Sequence, residues 1–240
     1  MLLISVHMPK TAGLSFRASL EQHFGDGFRH DYQDYPLAQS APVRRDRALA
    51  YGKAVRVEEF AGVSCIHGHF LPLKYLPLAD QLACRFVTWL REPFARLVSH
   101  YDYWQRTFDP ASSQTSALHR RVIEEGWSLQ RFCLAPELRN VYTEFLWGVP
   151  VERLFFIGIT EFFAEDLRYF SQQVLGNKMQ PHTLNRRPDN DTALSERDYG
   201  VIDRLAVAEY HAADMALYRQ ALRRRQRRLS SSTQAGQARL

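Results

Sequence analysis

The sequence predicts an α/β fold, a parallel sheet flanked by helices, and three stretches carry that expectation. "LLISVH" at residues 2–7 is a short apolar run followed by helical spacing in "SFRASLEQHF"; "CRFVTWLRE" at 84–92 repeats the pattern ahead of "PFARLVSHYDYWQRTF"; "RLFFIGIT" at 153–160 precedes "EFFAEDLRYFSQQVLG". Continuous apolar runs suit strands buried on both faces, and strands alternating with helices point to a parallel arrangement. Ligands of such sheets bind at the carboxyl ends of the strands.

Each further segment can be read in order. The polar, proline-containing stretch from Gly25 to about Arg47 reads as an irregular excursion, and "RALAYGKAVRVEEF" after it is compatible with another helix. "VSCIHGHF" has the look of a strand end. Pro93 falls in the first turn of its helix, where a missing N–H costs nothing. Residues 115–147 read as several short helices, and the helix from Glu161 should stop at Gly176. From Ser195 onward the pattern is helical, trailing into "RRRQRRLSSSTQAGQARL", which is expected to fray. We therefore expect one domain over residues 1–218 and a basic, partly disordered helix end and tail over 219–240, with no internal repeat.

Composition excludes several classes. With 45% hydrophobic and 24% charged residues the chain is neither disordered nor fibrous. The formal net charge is +5, but residues 219–240 hold seven arginines and no acid, leaving about −2 for the rest. Basicity thus belongs to the tail. Cys65, Cys84 and Cys133 are odd in number and widely spaced, as expected of buried reduced thiols. There is no secretory leader pattern and no run of the roughly 18 apolar residues that a membrane helix needs. A cytoplasmic location is expected.

The first turn of the chain, "HMPKTAGLSF", leaves a buried strand and enters a helix, where unpaired N–H groups meet the positive end of the helix dipole. That is an anion site. Gly13 permits close backbone approach, Thr11 and Ser15 offer hydroxyls, and Lys10 brings a mobile positive charge. A Walker A loop would read G-x-x-x-x-G-K-[ST], whereas here the lysine precedes the only glycine. "PKTAGLSF" resembles instead the 5′-phosphosulfate loop of sulfotransferases that use PAPS (3′-phosphoadenosine 5′-phosphosulfate), in the form seen in the heparan sulfate 2-O-sulfotransferase group. The resemblance implies a P-loop nucleotide-kinase-like sulfotransferase fold, with Lys10, Thr11, Ala12, Gly13, Leu14, Ser15 and Phe16 around the donor.

That family has a second element, a strand ending in arginine followed by a helix with a serine eight residues on, which holds the 3′-phosphate. "VTWLREPFARLVSHY" is similar to it through Arg91 and Ser99, with Glu92 where the family commonly has aspartate. The helical wheel agrees independently. Phe94, Leu97, Val98, Tyr101 and Trp104 share one arc, and Ser99 lies about 160° from its centre, beside Tyr103 and Arg96. Weaker similarity runs through "RNVYTEFLWGVPVERLFFIGITEFFAEDL" and "LNRRP", so that Arg186 and Arg187 are candidates for the nucleotide or an acidic acceptor.

Transfer to a hydroxyl needs a base, and "IHGHF" offers two histidines on one face of an extended segment. Such a pair also suits a metal, but no third ligand lies nearby in sequence. The segment resembles the H-G-H of the heparan group, which implies His69 as base with His67 assisting. Lys10 would stabilise the leaving phosphate. His7 is expected to support the loop, and His100 has no assigned role. The chain thus resembles an enzyme that takes PAPS as donor, releases PAP (3′,5′-ADP), acts on a hydroxylated acceptor, and needs no metal. Carbohydrate is the acceptor class the resemblance implies, with Trp104, Tyr103 and Trp127 as stacking candidates; a lipid-linked glycan or a small metabolite stays open, as does the oligomeric state. Two other readings are a small-molecule or nucleotide kinase using ATP and Mg²⁺, against which the lysine order counts, and a nucleic-acid or acidic-membrane binder acting through the arginine tail.

Overall fold

The structure, a computed structural model, describes residues 1–34, 39–113, 115–176 and 201–237, with side chains through residue 230. Its strands are β1 (Leu2–Val6), β2 (Phe28–His30), β3 (Cys65–Gly68), β4 (Cys84–Leu90) and β5 (Leu154–Ile159). They form one all-parallel sheet in the order β2-β3-β1-β4-β5, so the expected α/β architecture is present. The helices are α1 (Gly13–Phe24), α2 (Ala41–Ala54), α3 (Pro93–Thr107), α4 (Ala117–Glu124), α5 (Leu129–Cys133), α6 (Val141–Phe145), α7 (Phe163–Gln173), α8 (Arg204–Tyr210) and α9 (Ala212–Gln237).

Alternation along the strands makes two cores. Leu2, Ile4 and Val6 face one way with Ile66, Phe86 and Leu90, and meet Tyr142 and Phe145 of α6 and Tyr218 and Ala221 of α9. Leu3 faces the other way with Cys65, Val87 and Trp89, and meets Phe16 and Leu20 of α1 and Leu167 and Phe170 of α7. Burial on both faces is why β1 reads as an unbroken apolar run. A third cluster joins α3, α4, α5 and α8 around Leu97, Trp104, Phe132 and Val207.

The strand order has a consequence for binding. After β3 the chain crosses to the far side of β1 to place β4, so the order reverses between β1 and β4. The loops that follow these two strands open a crevice there.

Several expectations change. The stretch read as irregular from Gly25 holds β2 and the start of α2; three residues at a sheet edge, two of them exposed, are too few to show a period. The expected boundary at residue 218 falls inside α9, whose Ala221 is fully buried. Through residue 230 the basic segment is a docked helix. β5 is an edge strand, and the guanidinium of Arg224 donates to the carbonyls of Val151 and Leu154, while that of Arg228 donates to Ile157. Arg225 pairs with Glu165 and with buried Asp166, which also accepts the Ile159 N–H. The arginines thus cover backbone that an open sheet edge would leave unpaired. All three cysteines are free thiols; Cys65 and Cys133 are buried and Cys84 is half-buried. Among the described residues no helix is long and apolar enough to cross a membrane.

Candidate active site

The turn after β1 is held in a conformation that side chains resist. Lys10 and Ala12 both adopt left-handed backbone angles, with φ of 64° and 61°, at a cost on the order of 1 kcal/mol each. Thr11 between them is fully buried, and its hydroxyl donates inward to the Met8 carbonyl at 2.9 Å rather than facing the crevice as expected. Ala12 is the N-cap of α1 and supplies no side-chain cap. The start of the helix therefore has no side-chain cap, and the positive end of its dipole lies there. Phe16 is fully buried against Trp89 and Phe170, so only its backbone can serve the loop; Leu14 is exposed, and Ser15 is buried.

Gly13 is required by a neighbour. A Cβ there would lie 1.7 Å from His7 Nε2, so the His7 ring packs directly on the glycine. Its Nδ1 meets the Tyr32 hydroxyl at 3.2 Å.

The two segments expected to hold phosphate meet through Lys10 and Tyr103. Lys10 Nζ stands 3.9 Å from the centre of the Tyr103 ring on α3, a cation–π contact. Burial first, then the charges of Arg106 and Arg91, push the Lys10 ammonium down to about 8, against a smaller opposing pull from Asp102. Three cations thus share one small region, an arrangement that an anion would relieve. Arg91 is set from below, since the buried Tyr142 hydroxyl donates to its carbonyl at 2.8 Å and accepts from its N–H at 3.1 Å. Glu92 serves as the α3 cap in place of aspartate, accepting from the Ala95 N–H at 2.6 Å. Ser99 is half-buried on the same helix, on the side away from the Leu97 and Trp104 arc.

The histidines stand as a stack. His7 lies between His67, at 5.1 Å, and His69, at 4.2 Å, with planes within 25°. His69 Nδ1 sits 2.5 Å from the His7 carbonyl; a carbonyl only accepts, so Nδ1 carries the proton and Nε2 the lone pair. Burial pushes His69 down to about 4, partly offset by that hydrogen bond. His67, by contrast, is fully buried, with Nδ1 against Ser5 Oγ at 2.8 Å across the β1–β3 register. It can assist only from beneath. His100 is buried against Trp104 and Phe132.

The site also contains residues that the sequence did not point to. Asp31 and Asp34 continue β2 by donating their N–H groups to the His67 and His69 carbonyls, and this carries Tyr32 edge-on to His69 at 5.0 Å. Buried Lys74 bridges both aspartates and the Tyr75 hydroxyl donates to Asp31. Gly68 makes room for the crossing, because a Cβ there would lie 1.5 Å from the Asp31 carbonyl oxygen. Tyr142 belongs to the same group of unforeseen residues. Of the aromatics considered for sugar stacking, Trp104 and Trp127 are buried in the third cluster, and only Tyr103 is exposed at the crevice. Arg186 and Arg187 lie outside the described residues.

No protein-family model and no curated protein sequence matches the chain. Among solved structures, a sulfotransferase from Alicyclobacillus acidocaldarius is similar to it over 89% of this chain and 92% of that one, with 16% sequence identity and a TM-score of 0.45.

Proposed function

We propose that the chain is a PAPS-dependent sulfotransferase that moves a sulfuryl group to an acceptor hydroxyl by in-line transfer. The observation that carries this reading is that Arg91 acts on Lys10 just ahead of the uncapped start of α1, while His69 stacks on the His7 ring that packs on Gly13 of that helix. In this reading the α1 N-terminus and Lys10 hold the 5′-phosphosulfate, and Arg91 and Ser99 hold the 3′-phosphate. His69 Nε2 takes the acceptor proton as the acceptor oxygen bonds to sulfur. The bond from sulfur to the bridging phosphate oxygen breaks, and Lys10 stabilises the charge left on PAP. Positioning and electrostatics supply most of the rate, as in phosphoryl transfer. The acceptor class proposed is a carbohydrate or glycoconjugate, for which the exposed Tyr103 ring offers a stacking surface.

Calorimetric titration with 3′,5′-ADP, 5′-AMP and Mg-ATP tests the donor. Metal-independent binding that needs the 3′-phosphate and weakens in Arg91→Ala is expected. Preference for Mg-ATP would move the reading to a kinase.

A further inference from the structure

Helix α3 buries a guanidinium that lacks a hydrogen-bonding partner. Arg96 is fully buried, and its Nε, Nη1 and Nη2 are all without an acceptor; the contact it does make is with the face of the Tyr142 ring, at 5.6 Å. One turn further on, His100 is 2% exposed and its Nδ1 is likewise buried without a partner. The Trp104 and Phe132 rings wall the His100 imidazole at 4.6 and 5.6 Å.

The charge is felt by its surroundings. Arg96 acts on His100, His211, Cys133 and Tyr142, in each case opposing a positive form or favouring a negative one. Lys10 and His69 also bear on His100. The buried carboxylate of Asp214 is engaged elsewhere, accepting from the N–H groups of Tyr142 and Thr143 and from the Thr143 hydroxyl. Among the described residues no carboxylate forms an ion pair with Arg96, and a buried charge without such a direct partner is costly in a protein interior. Water satisfies hydrogen bonds but leaves the net charge in a medium of low dielectric.

We propose that Arg96 and His100 form a buried site for a small monovalent anion of the size of chloride, held by the guanidinium and the Nδ1–H of a neutral imidazole. Both residues lie on α3, which carries Ser99 and begins two residues after Arg91. Occupation therefore braces from within the helix that carries Ser99 and follows Arg91. The inference stands apart from the enzymatic reading.

The experiment is thermal unfolding of the full chain as chloride replaces gluconate at constant ionic strength, which holds screening fixed. At tenfold the dissociation constant the midpoint is expected to rise by about 3–6 °C. The rise should persist in Arg91→Ala, which weakens the donor crevice, and vanish in Arg96→Met, which removes the buried charge while keeping bulk. Crystals of the unsubstituted protein grown in bromide should show an anomalous peak within hydrogen-bonding reach of Arg96. No chloride effect in the unsubstituted protein, an effect that survives Arg96→Met, one lost in Arg91→Ala, or a bromide map with no peak at Arg96 would each overturn the proposal.

Discussion

His7 and His69 stack 4.2 Å apart with 24° between their planes, and the His7 carbonyl accepts a hydrogen bond from the His69 Nδ1–H. One residue thus sets both the plane and the tautomer of the other, leaving Nε2 as the basic nitrogen. With His69 held near 4 by burial, its imidazole is neutral well below the usual histidine range, as the proposed role of base requires. The acid limb of kcat/KM is therefore expected near pH 4 rather than 6.5. His69→Ala should lower kcat by about 10²–10⁴ and leave 3′,5′-ADP affinity unchanged. Near wild-type turnover in that variant would remove His69 from the mechanism.

Lys10 leads to a proton count. Its ammonium titrates near pH 8 in the free protein, and a bound polyanion raises that value. Binding of 3′,5′-ADP between about pH 8 and 10 should take up close to one proton, and affinity should fall as pH rises through this window. Calorimetry in buffers of different ionisation enthalpy reads the uptake directly. Lys10→Gln should abolish it; uptake of the same size in that variant would place the titrating group elsewhere.

Two glycines separate function from stability. In Gly13→Ala the new Cβ displaces the end of a side chain, the His7 ring, whereas in Gly68→Ala it strikes backbone at Asp31. The first is expected to cost about 1 kcal/mol of stability and most nucleotide binding. The second should cost about 3 kcal/mol, toward the upper end for overpacking. Urea denaturation alongside 3′,5′-ADP titration distinguishes them, and equal stability losses would contradict the assignment.

Arg225→Ala removes one of two arginines facing Asp166. Because Arg228 remains, the loss should be about 3 kcal/mol, the lower end for breaking a buried ion pair. Nucleotide affinity measured well below the melting point should not change. A variant with unaltered stability would show that α9 does not seal the sheet.

β1 and most of β4 and β5 could be read in the sequence because strand residues covered on both faces are mostly apolar, and Gly13, read as room for close backbone approach, is the position on which the His7 ring packs. The missing parts are those that depend on distant packing. Tyr32 reaches the histidines only because β2, three residues long, continues past His30 over Gly68. Tyr142 reaches Arg91 from 51 residues away, through a helix of five residues. Arg96 falls on the polar side of the α3 wheel, and a wheel drawn for one helix holds no information about the segments that pack over it and bury that arginine. Trp104 sits on the apolar arc of the same wheel, and there the periodicity outranked its candidacy as a sugar platform.

The arginine seal over β5 also sets an order of events during synthesis. Arg224 lies 70 residues after Leu154, whose carbonyl in β5 it covers. At ribosomal rates of about 5–20 residues per second, roughly 4–15 seconds separate the emergence of that carbonyl from that of its cover. Throughout this interval the nascent sheet presents a bare edge, and a chaperone or a neighbouring nascent chain can reach it before α9 does.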